Sequence, residues 1–121
     1  MKLGLGLYST MLTEEHFRFA RQLGVTHIVA HTPAENILPS TTDGYWSYED
    51  LKRLCDFVEE HELKLEAIEN FLPKHWDQIL LAGPGREAQM EKLKMTIRNM
   101  GRAGIPIMGY NFSLAGVWGR V

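Results

Sequence analysis

Four short apolar runs in this chain end on polar residues able to do chemistry. Tyr8 closes GLGLY, His31 closes HIVAH, Glu69 and Asn70 close LEAIEN, and Asn111 closes IMGYN. An imidazole or a carboxylate can take up a proton, while a phenol or an amide offers hydrogen bonds to hydroxyl groups. Further along, Arg120 brings a planar fork matched to a carboxylate, and Trp118 reads either as a lid residue or as core. Trp46, His75, Trp76 and Ser113 stand in the connecting segments. Together they suit a hydroxylated, anionic small molecule. Plainer roles exist beside these: His31 as a strand-end cap, Glu69 in a structural ion pair, Asn70 satisfying backbone groups, Arg120 in solvent.

Metal and nucleophile chemistry find less support. His27 and His31 share one face of an extended run but lie about 13 Å apart, too far to hold one ion. His27 therefore reads as structural. Cys55 falls on an apolar helical stripe and reads as core. His75 and Trp76 read as parts of a packed short helix. The sequence has no CxxC, no HExxH, no P-loop and no nucleophile elbow.

The elements that must position these residues alternate. Extended runs are expected at residues 2–8, 26–31, 63–70 and 107–112. Between the first two, Thr13 is the expected N-cap of a helix with Glu14 and Glu15 in its first turn and His16, Phe19, Ala20 and Leu23 along one face, ended by Gly24. Ser47 starts the next, with Asp50 as a capping-box variant and Leu51, Leu54, Cys55 and Val58 as its buried stripe. A third should bury Met90, Leu93, Ile97 and Met100. Glu69 is expected to share its face with Leu65 and Ala67. Residues 32–46 form a long connection of the kind that is functional or disordered.

This βαβαβαβ order implies parallel strands joined by helical crossovers. A doubly wound sheet and the first half of a (β/α)8 barrel both satisfy it. Gly4 and Gly6 lie inside the first strand, where they do not make a phosphate-binding turn. The reading is therefore α/β, a single partial domain over residues 1–121 made of about four βα units of a TIM barrel and lacking the last helix. Chemistry in either fold gathers at the carboxyl ends of the strands.

Composition bounds the rest. With 121 residues, 45% hydrophobic and 23% charged, the chain suits one globular domain. A net charge of −2 gives no footprint for nucleic acid. A single cysteine excludes an internal disulfide, and no run approaches the roughly 20 apolar residues of a membrane span, so a cytoplasmic location is expected.

Several stretches, taken in order, resemble the N-terminal part of mannonate dehydratases: MKLGLGLYSTMLTEEHFRFARQLGVTHIVAH, WSYEDL, LKLEAIENF, MEKLKMTIRNMGRAGIPIMGYNF and GVWG. The resemblance spans nearly the whole chain apart from residues 32–45. It implies a (β/α)8 barrel related to the xylose-isomerase-like sugar enzymes. It implies dehydration of D-mannonate to 2-keto-3-deoxy-D-gluconate in hexuronate breakdown, with a divalent Mn2+ or Fe2+. The ligands of that ion, and the catalytic acid and base, are expected downstream of Val121. It implies a sugar-acid substrate, no nucleic-acid or membrane partner, and a homo-oligomer for the complete enzyme. By carry-over, Asn111 in GYNF and Glu69 in IEN face the site, with Trp118 and Arg120 in the loop that approaches substrate; Tyr8 and His31 join this candidate substrate-binding set from their places at the strand ends. The resemblance also reads this chain as an N-terminal fragment, inactive alone. Many family members continue with DWTR, where this chain has Val117, Trp118, Gly119 and Arg120. A related sugar acid, isomerase or epimerase chemistry in the same barrel class, and a non-catalytic half-barrel module are the alternatives.

Overall fold

The computed structural model describes residues 1–112. Strands β1 (Gly4–Tyr8), β2 (His27–His31), β3 (Lys64–Glu69) and β4 (Ile107–Gly109) form one sheet in the order β1-β2-β3-β4, every pair parallel. Sequential order without a reversal places each new strand on the same side of the last. A doubly wound sheet needs a reversal point; an unbroken march of parallel strands is an arc of a (β/α)8 barrel. Helices α1 (Glu14–Gln22), α2 (Tyr48–Glu59), the short α3 (Asp77–Leu80) and α4 (Arg86–Ala103) lie in the connections. Strand four stops at Gly109, short of the expected residue 112, so Tyr110 and Asn111 extend past the sheet.

Two kinds of row cross the sheet. Leu7, Ala30 and Ile68 are paired in register, as are Ile28 and Leu65, and all five pack in the helix-side core with Phe17, Leu51, Leu54, Val58, Leu93 and Met100. The alternate rows are Gly6–Val29–Ala67–Ile107 and Tyr8–His31–Glu69–Gly109. These project to the concave side, the interior of a barrel. The β2–β3 register shifts between Ile28 and Val29, because Leu65 pairs with Ile28 and Ala67 with Val29. Glu66 is thus an extra residue, a bulge. Glu69 shares its face with Ala67 as expected but not with Leu65, since the bulge breaks the alternation.

Helix starts follow their capping chemistry. The Thr13 side chain accepts from the His16 N–H, and Ser47 Oγ accepts from the Asp50 N–H at 3.1 Å. The reciprocal half of a capping box at Asp50 is not made. Its carboxylate instead accepts from the Ser40 N–H at 2.7 Å and from Arg53 at 2.5 Å. Burial works to raise the Asp50 pKa, and the bonds from Ser40 and Arg53 outweigh it, leaving the group lowered.

Two helices bury different faces from those expected. In α1, Phe17 and Ala20 enter the core, while Phe19 and Leu23 are 52% and 56% exposed. The Phe17 ring sets this roll by packing 5.2 Å from Phe57 and 5.3 Å from His61. In α4, Leu93 and Met100 are buried, but Ile97 is 56% exposed and Gln89, Thr96 and Asn99 are buried. Backbone bonding explains the polar choice. Thr96 Oγ1 accepts from the Trp46 N–H at 3.0 Å, and Asn99 Nδ2 donates to the Trp46 carbonyl at 2.9 Å. Gln89 accepts from the Ile79 N–H and donates to the Lys74 carbonyl, fixing α3 on α4. The stripe of α2, including Cys55, is buried as read.

Residues 32–46 are ordered and contribute to the core. A 3-10 turn at Pro39–Asp43 buries Leu38 and Thr41, and Trp46 is fully enclosed, stacked on Phe71 at 4.8 Å and edge-on to His75. Trp46, His75 and Trp76 are packing groups, each at most 1% exposed.

Candidate functional site

The site is the row Tyr8–His31–Glu69–Gly109 at the carboxyl ends of β1 to β4, on the concave face. Parallel pairing in register makes the row, because each strand reaches its C-terminal end at the same height. The Tyr8 ring meets His31 edge-on, centroids 4.6 Å apart. His31 Nδ1 lies 3.4 Å from Glu69 Oε2, with the imidazole 15% exposed and the carboxylate 52% exposed. Gly109 makes room for this carboxylate: a Cβ there would fall 3.3 Å from Glu69 Cγ. The row thus presents a phenol, an imidazole and a carboxylate side by side. Those groups can donate and accept hydrogen bonds toward hydroxyls.

The backbone leaves the row by an unusual route. Thr32 and Asn70, the residues directly after His31 and Glu69, have left-handed φ values of 46° and 68°. The Thr32 N–H donates to the Glu69 carbonyl at 2.7 Å, and the Asn70 N–H to the Gly109 carbonyl at 2.9 Å. Each turn extends the ladder by one bond and then bends away. Sequence reading missed Thr32, because Thr-Pro reads as extended.

Of the residues expected at the site, Tyr8, His31 and Glu69 are brought together. Asn111 is exposed beyond the end of β4, and its side chain makes no hydrogen bond among the described residues. Beside it, Phe112 stacks on Trp76 at 5.3 Å and Tyr110 lies 5.3 Å from Phe112, an aromatic wall next to the row. Trp118 and Arg120 lie outside the described residues, as does Val121, beyond which the catalytic acid and base are expected.

His27 is structural, as read. At the opposite end of the concave face, Glu66 holds Lys2 at 2.5 Å and His27 Nε2 at 3.5 Å, tying β3 to β2 and to the segment that leads into β1. Lys2's hydrogen bond is the main reason the Glu66 carboxyl sits below its ordinary pKa. The described residues do not form a set that fits Mn2+ or Fe2+. No three of their histidines, cysteines and carboxylates converge, and the row offers only the donors of His31 and Glu69.

Comparison with known proteins agrees with this fold. Among curated proteins, the mannonate dehydratase of Streptococcus suis is 41% identical over 75 residues, which is 62% of this chain and 20% of that protein. That of Thermotoga maritima is 40% identical over the same length and the same shares. The crystal structure of mannonate dehydratase from Streptococcus suis serotype 2 superposes with a TM-score of 0.77 at 28% identity, covering 99% of this chain and 32% of that one. The chain therefore spans about a third of the solved relative, and its matched stretch a fifth of the curated ones. The model of the D-mannonate dehydratase (UxuA) family matches residues 1–121, and the chain belongs to that family.

Proposed function

We propose that this chain forms the N-terminal wall of a D-mannonate dehydratase site, where a sugar acid loses water to give 2-keto-3-deoxy-D-gluconate. In this reaction the proton α to the carboxylate and the C3 hydroxyl leave as one water. The observation that supports the reading is the Tyr8–His31–Glu69 row on the concave face, in a chain whose relatives bear that name. A polyhydroxylated acid fits the row. Glu69 accepts from a substrate hydroxyl, His31 exchanges a hydrogen bond with the next, and Tyr8 packs edge-on against the imidazole. Asn111 and the aromatic wall at Tyr110 and Phe112 border the substrate, with Trp118 and Arg120 contributing from the residues that follow in sequence and Arg120 pairing with the acid. The described residues do not supply the Mn2+ or Fe2+ centre, so this chain's share is binding and orientation, in a cytoplasmic homo-oligomer.

Titration with D-mannonate, followed residue by residue by NMR, tests the reading. Shifts are expected at Tyr8, His31 and Glu69, weakened by Glu69→Gln and smaller for neutral aldoses. A row unmoved by D-mannonate, or moved equally by an aldose such as xylose, would overturn it; the second outcome would favour isomerase or epimerase chemistry.

A further inference from the structure

Thr32 is a costly choice for its place. It is β-branched, it precedes Pro33, and it holds φ at 46°. Branching at Cβ crowds the left-handed region, and a following proline drives its predecessor toward extended backbone. Other left-handed positions in the chain are filled more easily. Gly24, Gly44 and Gly104 take positive φ where helices and turns end, and Asn70 takes it after β3. Asparagine tolerates this region and glycine prefers it. Glu62 and Ala82 also take it, but neither is β-branched nor followed by proline. The strained residue falls directly after His31, and its N–H is locked onto the Glu69 carbonyl at 2.7 Å. One short hydrogen bond therefore ties the backbone exit of His31 to the strand that carries Glu69. Strain of this kind persists where surrounding structure over-determines it, and it gathers at sites needing fixed geometry.

We propose that Thr32 is a positioning residue, a stiff left-handed clamp that holds the His31 imidazole between Tyr8 and the Glu69 carboxylate. A glycine in its place would reach the same φ easily but would let the end of β2 sample several conformations. Threonine removes that freedom at the expense of stability. The proposal deepens the substrate-binding reading above and rests on it for its purpose, yet its test reads His31 directly.

The Tyr8 ring supplies the readout. Its edge-on contact at 4.6 Å displaces the His31 ring-proton shifts, and Tyr8→Leu in the same chain calibrates that displacement. In Thr32→Gly the displacement is expected to fall to less than half its wild-type value, while Tm stays level or rises. Thr32→Asn, which keeps the left-handed turn with restricted backbone, should retain the displacement and raise Tm. An unchanged His31 displacement in Thr32→Gly would overturn the proposal. So would an unfolded Thr32→Gly chain, because the residue would then be a requirement of the fold. D-mannonate affinity in Thr32→Gly should drop several-fold. If wild type shows no D-mannonate binding, the proposed function fails, and the ring displacement still decides the role of Thr32.

Discussion

Glu69 and Gly109 face each other across the β3–β4 pair, and the missing side chain of one defines the space of the other. A methyl group at Gly109 would stand 3.3 Å from Glu69 Cγ, close enough to require a shift of a few tenths of an ångström. The half-exposed Glu69 side chain can yield, whereas the backbone of two paired strands yields poorly. Gly109→Ala is therefore expected to leave stability within about 1 kcal/mol of wild type while turning Glu69 away from His31. Thermal unfolding and side-chain NOEs between His31 and Glu69 check the two halves. A variant keeping those NOEs would refute it.

Trp46 anchors the other side of the site. It is fully buried against Phe71 and His75, and its backbone is held by Thr96 and Asn99 of α4. Trp46→Ala should cost about 3–5 kcal/mol, a large share of a small domain's stability. Trp46→Phe should cost less, since the indole Nε1 has no hydrogen-bond partner among the described residues. Urea denaturation measures both, and a mild Trp46→Ala would mean that the aromatic cluster is not a core.

His75 makes stability depend on pH. Burial pushes its pKa below the ordinary histidine value, against the opposing effect of the bond the ring donates to the Leu72 carbonyl. The native ring is neutral, while the unfolded ring binds a proton below about pH 6.5. Stability from this group is complete above that unfolded value and is lost progressively as pH falls toward the depressed native one. Between about pH 7.5 and pH 5.5, wild type should lose more stability than His75→Phe, measured by chemical unfolding at each pH. Identical slopes would place the pH dependence elsewhere.

Cys55 should be chemically silent in the native state. Burial, with Glu59 adding to it, pushes its thiol up to about 11, so little thiolate exists near neutrality. A colorimetric thiol reagent is expected to react only at the rate of unfolding and to react at once in denaturant. Rapid labelling of the folded chain would contradict the packing of α2 on α4.

Two sheet edges are open among the described residues, those of β1 and β4. Leu3 and Ile107 near them are 49% and 50% exposed, and the flank of α1 adds Phe19 and Leu23. Unpaired edges beside apolar surface favour association. Light scattering on this chain should show mass rising with concentration. A monodisperse monomer at high concentration would count against it.

Much of this arrangement was legible in the residues. Alternating apolar runs and caps at Thr13 and Ser47 placed the elements, and polar residues closing the runs pointed to Tyr8, His31 and Glu69. Helix faces were harder. A helix against a sheet also packs on neighbouring helices, so the apolar stripe of α1 includes a flank, Phe19 and Leu23, that the core does not use. In α4 the reverse occurred: Gln89, Thr96 and Asn99 are buried because they bond backbone groups of distant segments, and periodicity cannot register that. Thr32 was invisible because its conformation contradicts its local preference and is imposed by Glu69, distant in sequence. The length of residues 32–46 suggested function or disorder; Leu38, Thr41 and Trp46 show a core segment.

The extra residue at Glu66 has one more consequence. Counting by twos from Leu65, which points to the helices, would bring Glu69 to the helices as well, into a core that could not hold a carboxylate. The bulge inserts one count, so every later residue of the strand changes parity. Glu69 therefore reaches the cavity by arithmetic as much as by chemistry. Removing Glu66 would restore plain alternation and leave Ala67 and Glu69 on the cavity side, whereas keeping all the residues but pairing them regularly would turn Glu69 to the core. A transplant of β3 with all its residues would therefore carry its site only where the new scaffold lets the bulge at Glu66 form.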